Sequence, residues 1–166
     1  MTKAPETGAN LRVPELGIEK ADLKAINIGL AQAVSETFTL YVKTQGYHWN
    51  VVGPAFRALH EMFEEQYIEL RDAADVLAER MRALGATAPG SFTEFTQLAE
   101  IKDHEPVKDS TDMVKVLADD HETAARIMRP LVEVCEKAGD SGTADLITER
   151  LLSHAKHAWM LRAMIS

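Results

Sequence analysis

Apolar residues recur at steps of three and four through four long stretches of this chain, a spacing typical of amphipathic helices. Few segments show the alternation expected of strands. The first stripe is formed by Leu23, Ile26, Leu30, Val34, Phe38, Tyr41 and Val42. The second is formed by Phe56, Leu59, Phe63, Tyr67, Leu70, Ala74, Leu77 and Met81. We therefore predict an all-α protein.

Glycine and proline mark the expected ends of these helices. The predicted helices span about 19–48, 55–84, 110–137 and 143–165. Gly53-Pro54 separates the first two, and Gly85 is a typical C-terminal stop. Ser110 is a plausible N-cap of the third helix, and Pro130 should kink that helix or open one hydrogen bond.

The connection from Ala86 to Ser110, about 25 residues, is too long for a simple bundle turn. Phe92, Phe95 and Leu98 indicate one short helix within it. This pattern predicts a four-helix bundle with a crossover and a small extra helix, built by residues 19–166. Residues 1–18 lack periodicity and are expected to form a flexible tail.

The length, net charge and cysteine content of the chain exclude several classes of function. With 166 residues a single domain is expected, and a net charge of −8 does not favour attraction of the whole chain to nucleic acid or an anionic membrane. The single cysteine, Cys135, excludes an intrachain disulfide framework and a cysteine-built zinc site. No stretch has the pattern of a signal peptide or a membrane span, so we expect a cytoplasmic protein.

The residues that carry chemistry lie between His48 and Glu79. His60 and Glu64 are four residues apart, as are Asp75 and Glu79, so each pair shares a helix face. Together with His48 they form a mixed nitrogen and oxygen set that suits iron or manganese, with zinc as another candidate.

The two pairs cannot bind one ion within one chain. Glu64 and Asp75 are separated by about 16 Å along the helix, whereas a metal–ligand bond is about 2 Å long. They meet if the second helices of two subunits cross antiparallel about a two-fold axis, which gives two equivalent shared sites. From spacing alone the same acidic face also fits a solvated surface with Arg71 and Arg80 as ion-pair partners, in a purely structural bundle.

The segment YHWNVVGPAF at residues 47–56, together with LHE at 59–61, Asp75, AER at 78–80 and AWMLR at 158–162, resembles the Dps family of mini-ferritins. The resemblance implies a ferritin-like bundle assembled into a hollow dodecamer. It also implies two-iron ferroxidase centres at the two-fold interfaces, with Fe(II) and hydrogen peroxide as substrates. Such a protein stores ferric mineral and protects against oxidative damage.

Individual residues carry over on this resemblance. His48, His60, Asp75 and Glu79 match the family's ligands. Glu64 stands where the family usually has aspartate, so its role as a ligand is open. Trp49 matches a tryptophan near the site that quenches radical intermediates.

An acidic pore on a three-fold axis is also implied by the family. The residues that match its position are Glu136, Asp140, Asp145 and Glu149. The alternative is that Asp140 or Ser141 caps the fourth helix.

The remaining histidines and the cysteine are expected to have lesser roles. We expect His104 and His121 to be solvated, with adventitious metal binding as the alternative for His121. We expect His154 and His157 to form interface hydrogen bonds, with a secondary metal site as the alternative, and Cys135 to be buried.

Two other functions compete with the one that the resemblance implies. A di-iron site within one bundle, as in bacterioferritin or rubrerythrin, typically uses Glu-x-x-His pairs, and this sequence contains none. The alternative function is that of a DNA-compacting nucleoid protein. Lys3 and Arg12 of the tail are balanced by Glu6 and Glu15, so we expect weak or absent DNA binding.

Overall fold

The computed structural model describes residues 15–103 and 107–166, and within them the chain forms five helices and no strand. The helices are α1 (Lys20–Asn50), α2 (Phe56–Ala83), α3 (Phe92–Leu98), α4 (Ser110–Lys137) and α5 (Ser141–Ala163). The four long helices and the short one in the connection are confirmed, with ends that differ from the predicted ones by a few residues. Residues 1–14 of the predicted tail and His104 lie outside the described residues.

The four long helices pack as two pairs. α1 lies along α2 and α4 lies along α5, and the two pairs meet mainly where α1 contacts α4. α3 packs on α1, where the rings of Phe38 and Phe95 stack with centroids 4.3 Å apart. This is the crossover four-helix bundle that the sequence predicts.

The core follows the predicted stripes with exceptions at two positions. Val42 and Phe56 are 39% and 46% exposed. Val42 follows Tyr41 directly, and neighbouring residues on a helix point about 100° apart, so both cannot lie on one stripe. Phe56 is the first residue of α2, where its ring stacks on His60 instead of entering the core.

Capping residues define where the helices begin and end. Asp109, and not the predicted Ser110, caps α4 by accepting from the main-chain N–H groups of Thr111 and Asp112. Gly85 has a φ of 83°, and the N–H of Ala86 bonds to the oxygen of Met81, which is the predicted glycine stop of α2. α4 continues as one helix through the exposed Pro130.

A buried carboxylate holds the long connection against the bundle. Glu36 of α1 is fully buried and accepts from the main-chain N–H groups of Glu100 and Ile101, at 2.7 and 3.0 Å. Burial raises the pKa of Glu36, although the two N–H groups act in the opposite direction. The segment after α3 is therefore tied to α1 by one side chain.

No helix in the described part of the chain combines the length and apolar character needed to cross a bilayer.

Candidate metal centre

The last turn of α1 and the first turns of α2 bring His48 and His60 together. Gly53 reverses the chain between the two helices with a φ of 111°, a conformation that favours glycine. The two imidazole rings stack with centroids 3.8 Å apart and an interplanar angle of 18°. Nδ1 of each ring lies 2.9 Å from the main-chain oxygen of the other residue.

These contacts determine the tautomer of both rings. A carbonyl oxygen only accepts, so Nδ1 of each imidazole must carry the hydrogen. The lone pair of a neutral ring is then on Nε2, which is the arrangement found in metal-binding histidines oriented by a second hydrogen bond. Each ring therefore offers its Nε2 lone pair to a metal ion, and both rings are oriented by contacts within a single subunit.

Glu64 lies one turn beyond His60 on α2 and is exposed. Its Oε1 accepts a long hydrogen bond, 3.4 Å, from the hydroxyl of Tyr67. The ring of Tyr67 also packs edge-on against His48, with centroids 5.2 Å apart. Spacing places Tyr67 on the core stripe alone, and its contacts with two candidate ligands are visible only in the structure.

Asp75 and Glu79 are exposed on the C-terminal half of α2. Within the described residues neither carboxylate forms a hydrogen bond or ion pair. The arginines that the structural alternative offered as partners bind elsewhere: Arg71 contacts Asp72, and Arg80 contacts Asp140, both at 2.7 Å. The two carboxylates are thus left open on the surface.

The candidate ligands do not converge within one subunit. In residues 15–103 and 107–166 no three His, Cys, Asp or Glu side chains are grouped so that they could hold one ion. This agrees with the separation of about 16 Å between Glu64 and Asp75 along α2. A shared site between two subunits therefore stays a prediction.

Trp49 follows His48 and is 68% exposed, so it does not pack in the core of its own subunit.

The four candidate pore residues have different environments. Asp140 is 4% exposed and binds Arg80, the hydroxyl of Thr143 and the main-chain N–H of Thr143. It caps α5, so the alternative role is confirmed for this residue. The other three, Glu136, Asp145 and Glu149, are exposed, and their pore role stays a prediction.

A histidine cluster occupies the interior of the bundle. His121 is fully buried, and its Nδ1 lies 2.9 Å from Nδ1 of His154, which is also fully buried. Desolvation lowers the pKa of both rings well below 6.5. Repulsion from His154 and His157 lowers the pKa of His121 further, and repulsion from Arg150 and His157 lowers that of His154 further. The prediction that His121 is solvated is wrong, and His154 bonds inside its own subunit. His121 lies at helical steps of four and three residues from the core residues Leu117 and Ala124, on the same face as Met128, and this spacing indicates a buried position. The acidic residues beside it in the sequence indicate an exposed position instead, and the structure shows that the spacing was the better guide.

His157 adds a third ring to this cluster and connects it to α2. Its Nε2 lies 3.5 Å from Oε2 of Glu69, which also binds Arg150. Burial acts to raise the pKa of Glu69, but the bonds from His157 and Arg150 outweigh it and lower the pKa to about 2. His157 therefore also forms its contacts within the subunit. The thiol of Cys135 is buried as expected, and burial raises its pKa to about 11.

Comparison with known sequences gives consistent matches. The model of the ferritin-like domain family matches residues 29–166. A low temperature-induced protein of Nostoc is 44% identical over 82% of this chain and 77% of its own length. DNA protection during starvation protein 2 of Bacillus anthracis is 31% identical over 82% of this chain and 94% of its own.

Solved structures agree with the sequence matches. Dps from Vibrio cholerae, described as a member of a superfamily of ferritin-like diiron-carboxylate proteins, superposes with a TM-score of 0.87. It is 29% identical and covers 95% of this chain and 99% of its own. Dps from Bacillus brevis superposes with a TM-score of 0.85 at 30% identity, over 90% of this chain and 100% of its own. The chain therefore belongs to the ferritin-like domain family and, within that family, to the Dps proteins.

Proposed function

We propose that this chain is a ferroxidase subunit that oxidises Fe(II) with hydrogen peroxide at sites shared between two subunits. Membership in the Dps family supports a role in iron storage and DNA protection. The observation that carries the finer proposal is the division of donors along α2. Two imidazoles lie at one end of that helix and two carboxylates lie towards the other. Among the residues that the structure describes, neither Nε2 atom and neither carboxylate has a partner.

Antiparallel crossing of two α2 helices would join these half-sites. His48, His60 and Glu64 of one subunit would then face Asp75 and Glu79 of the partner subunit. A two-fold axis repeats the contact, so each dimer would contain two equivalent sites. Nitrogen and carboxylate donors in this mixture suit Fe(II), and manganese or zinc would be the expected competitors.

The proposed metal ligands would favour the oxidation of iron without release of hydroxyl radical. Hard carboxylate oxygens stabilise Fe(III) more than Fe(II), so they make the loss of an electron easier. Two Fe(II) ions held together would supply both electrons to one peroxide, giving two Fe(III) and two water molecules with the uptake of two protons. This stoichiometry avoids the one-electron step that releases hydroxyl radical. Trp49, exposed beside His48, would intercept radicals that escape.

Storage requires a closed assembly, and we propose the hollow dodecamer of the family. Ferric ions released from the shared sites would form a mineral inside it. Asp145, Glu149 and Glu136 are exposed and would contribute the acidic entry path for Fe(II).

The stoichiometry of anaerobic oxidation tests this function. Fe(II) is titrated with hydrogen peroxide while ferric absorbance is followed, and a spin trap reports hydroxyl radical. We expect two Fe(II) consumed per peroxide with little trapped radical, and a large loss of rate in His60→Ala. Glu61→Ala is the matched control, because Glu61 neighbours His60 but pairs with the exposed Arg57. One Fe(II) per peroxide with abundant radical, or equal rates in the two variants, would contradict the proposal.

DNA compaction is the second candidate, and it is favoured only by the names of relatives such as DNA protection during starvation protein 2. The net charge of −8 opposes phosphate binding. We therefore expect no gel shift of duplex DNA at physiological salt. A shift that survives moderate salt would support direct binding instead of protection through removal of iron and peroxide.

A further inference from the structure

We propose that Tyr67 is a positioning residue of the metal site, which restrains Glu64 through its hydroxyl and His48 through its ring. The inference rests on the proposed function and adds a residue to it.

The position of Tyr67 allows it to reach both candidate ligands. It lies three residues after Glu64 on α2, on the same side of the helix, and is half-buried. Its ring is inclined by 68° to that of His48 at 5.2 Å and lies 6.3 Å from the ring of Tyr41 on α1. The aromatic part is therefore held between the two helices, while the hydroxyl is directed to the exposed carboxylate of Glu64.

The hydroxyl compensates for the length of Glu64. A glutamate has one more rotatable bond than the aspartate usual in the family, and fixing that bond costs conformational entropy when a metal binds. The hydroxyl donates to Oε1 at 3.4 Å, which limits the positions of the carboxylate. Within the described part of the chain Oε2 has no partner, so it is the oxygen that would bind an ion. An aspartate at this position would be too short to keep a contact that is already long.

The ring acts on His48 in a different way. Nδ1 of His48 is bound to the main-chain oxygen of His60, but one hydrogen bond still permits rocking about its axis. The ring of Tyr67, which packs at a steep angle against that of His48, limits that motion from one side. Partners that orient a ligand in this way change metal affinity, because less reorganisation is needed on binding.

Two substitutions separate the two effects. Tyr67→Phe keeps the ring and removes the hydroxyl, whereas Tyr67→Leu removes both contacts. Co(II) binding by calorimetry and initial rates over a range of Fe(II) concentrations are measured on the assembled protein. We expect Tyr67→Phe to raise the Co(II) Kd and the Fe(II) KM by about 2- to 10-fold, as for one hydrogen bond, with kcat nearly unchanged. Tyr67→Leu should raise both constants further.

A double-mutant cycle with Glu64→Asp tests whether the hydroxyl acts through Glu64. In the Glu64→Asp background Tyr67→Phe should have no further effect on the Co(II) Kd. Tyr41→Phe is the control, because it removes a hydroxyl from a neighbouring ring that, among the described residues, packs on Phe38 and Tyr67 and on no candidate ligand. It should leave Kd and KM unchanged.

The outcomes distinguish this inference from the function beneath it. Wild-type Kd and KM in Tyr67→Phe, or a loss that is the same in both Glu64 backgrounds, would overturn the role of Tyr67 alone. Failure of the wild-type assembly to bind Co(II) and to oxidise iron would overturn both proposals. Thermal unfolding of each variant shows whether a change in Kd merely reflects lost stability. If Tyr67→Leu does not fold, Tyr67→Phe alone decides whether Tyr67 positions the ligand.

Discussion

The imidazoles of His48 and His60 each donate their Nδ1 hydrogen to the main-chain oxygen of the other residue, at 2.9 Å in both directions. This reciprocal pair joins the end of α1 to the start of α2. Because the acceptors are main-chain atoms, each ring keeps its acceptor when the other side chain is replaced. The nitrogen half of the proposed site is therefore already oriented in a single subunit.

Replacing His60 by asparagine should separate the structural role of this ring from its role as a ligand. The asparagine amide can donate to the oxygen of His48 as Nδ1 does, but it has no counterpart of Nε2. We expect Co(II) affinity to fall by at least about 10-fold while stability changes little. Calorimetry and urea unfolding measure the two quantities. His60→Ala should lose both, and unchanged Co(II) affinity in His60→Asn would exclude Nε2 as a donor.

Glu36→Ala should destabilise the protein by about 2–6 kcal/mol. The substitution leaves the main-chain N–H groups of Glu100 and Ile101 without their acceptor, and each unsatisfied buried group costs about 1–3 kcal/mol. Urea unfolding measures the change. Glu100→Ala is the control, since this exposed side chain is not the group held by Glu36. Equal effects of the two substitutions would contradict the role of Glu36 as a clamp.

The buried histidines predict that stability falls in mild acid. The pKa of His121 is lowered by desolvation and then by the neighbouring His154, so the folded chain resists a proton that the unfolded chain accepts near pH 6.5. The contribution of these rings to the free energy of unfolding should therefore be constant above about pH 7. Below pH 6.5 it should decrease by up to about 1.4 kcal/mol per pH unit for each such ring.

A double variant, His121→Leu with His154→Leu, checks this cause. It replaces the polar pair by apolar side chains and should flatten the decline between pH 6.5 and 5, measured by urea unfolding at each pH. An unchanged slope in the double variant would assign the acid sensitivity to other groups.

Asp140 and Asp145 should respond differently to removal of their charge. Asp140→Ala removes the cap of α5 and the partner of Arg80, so we expect a loss of at least about 1 kcal/mol in stability. Asp145→Asn with Glu149→Gln should leave stability nearly unchanged and slow iron uptake into the assembly. Ferric absorbance after addition of Fe(II) measures uptake, and normal uptake in that double variant would exclude these two carboxylates from the entry path.

The helices were predictable because their apolar residues recur with helical spacing. α3 was recognisable from Phe92, Phe95 and Leu98 within a connection too long for a turn. The cap of α4 was misplaced by one residue, since Asp109 and Ser110 are both good capping residues and only the main-chain geometry distinguishes them.

Only the part of the candidate site that lies on a single helix was predictable from residue spacing. His60, Glu64, Asp75 and Glu79 share a face of α2, which the sequence shows directly. The reciprocal contact of His48 with His60 depends on how the chain reverses at Gly53, and the role of Tyr67 depends on packing between α1 and α2. The cluster around His121 was missed because acidic neighbours indicated solvent, although its spacing with Leu117 and Met128 pointed to the core.

Mixed assemblies of two single variants test the shared site most directly. His60→Ala and Asp75→Ala chains, each inactive alone, are unfolded together, refolded and assayed for iron oxidation. In a dimer containing one chain of each kind, one site carries both substitutions and the other carries neither. Random pairing should therefore restore about a quarter of wild-type activity. A mixture no more active than the separate variants would contradict a site built from two subunits.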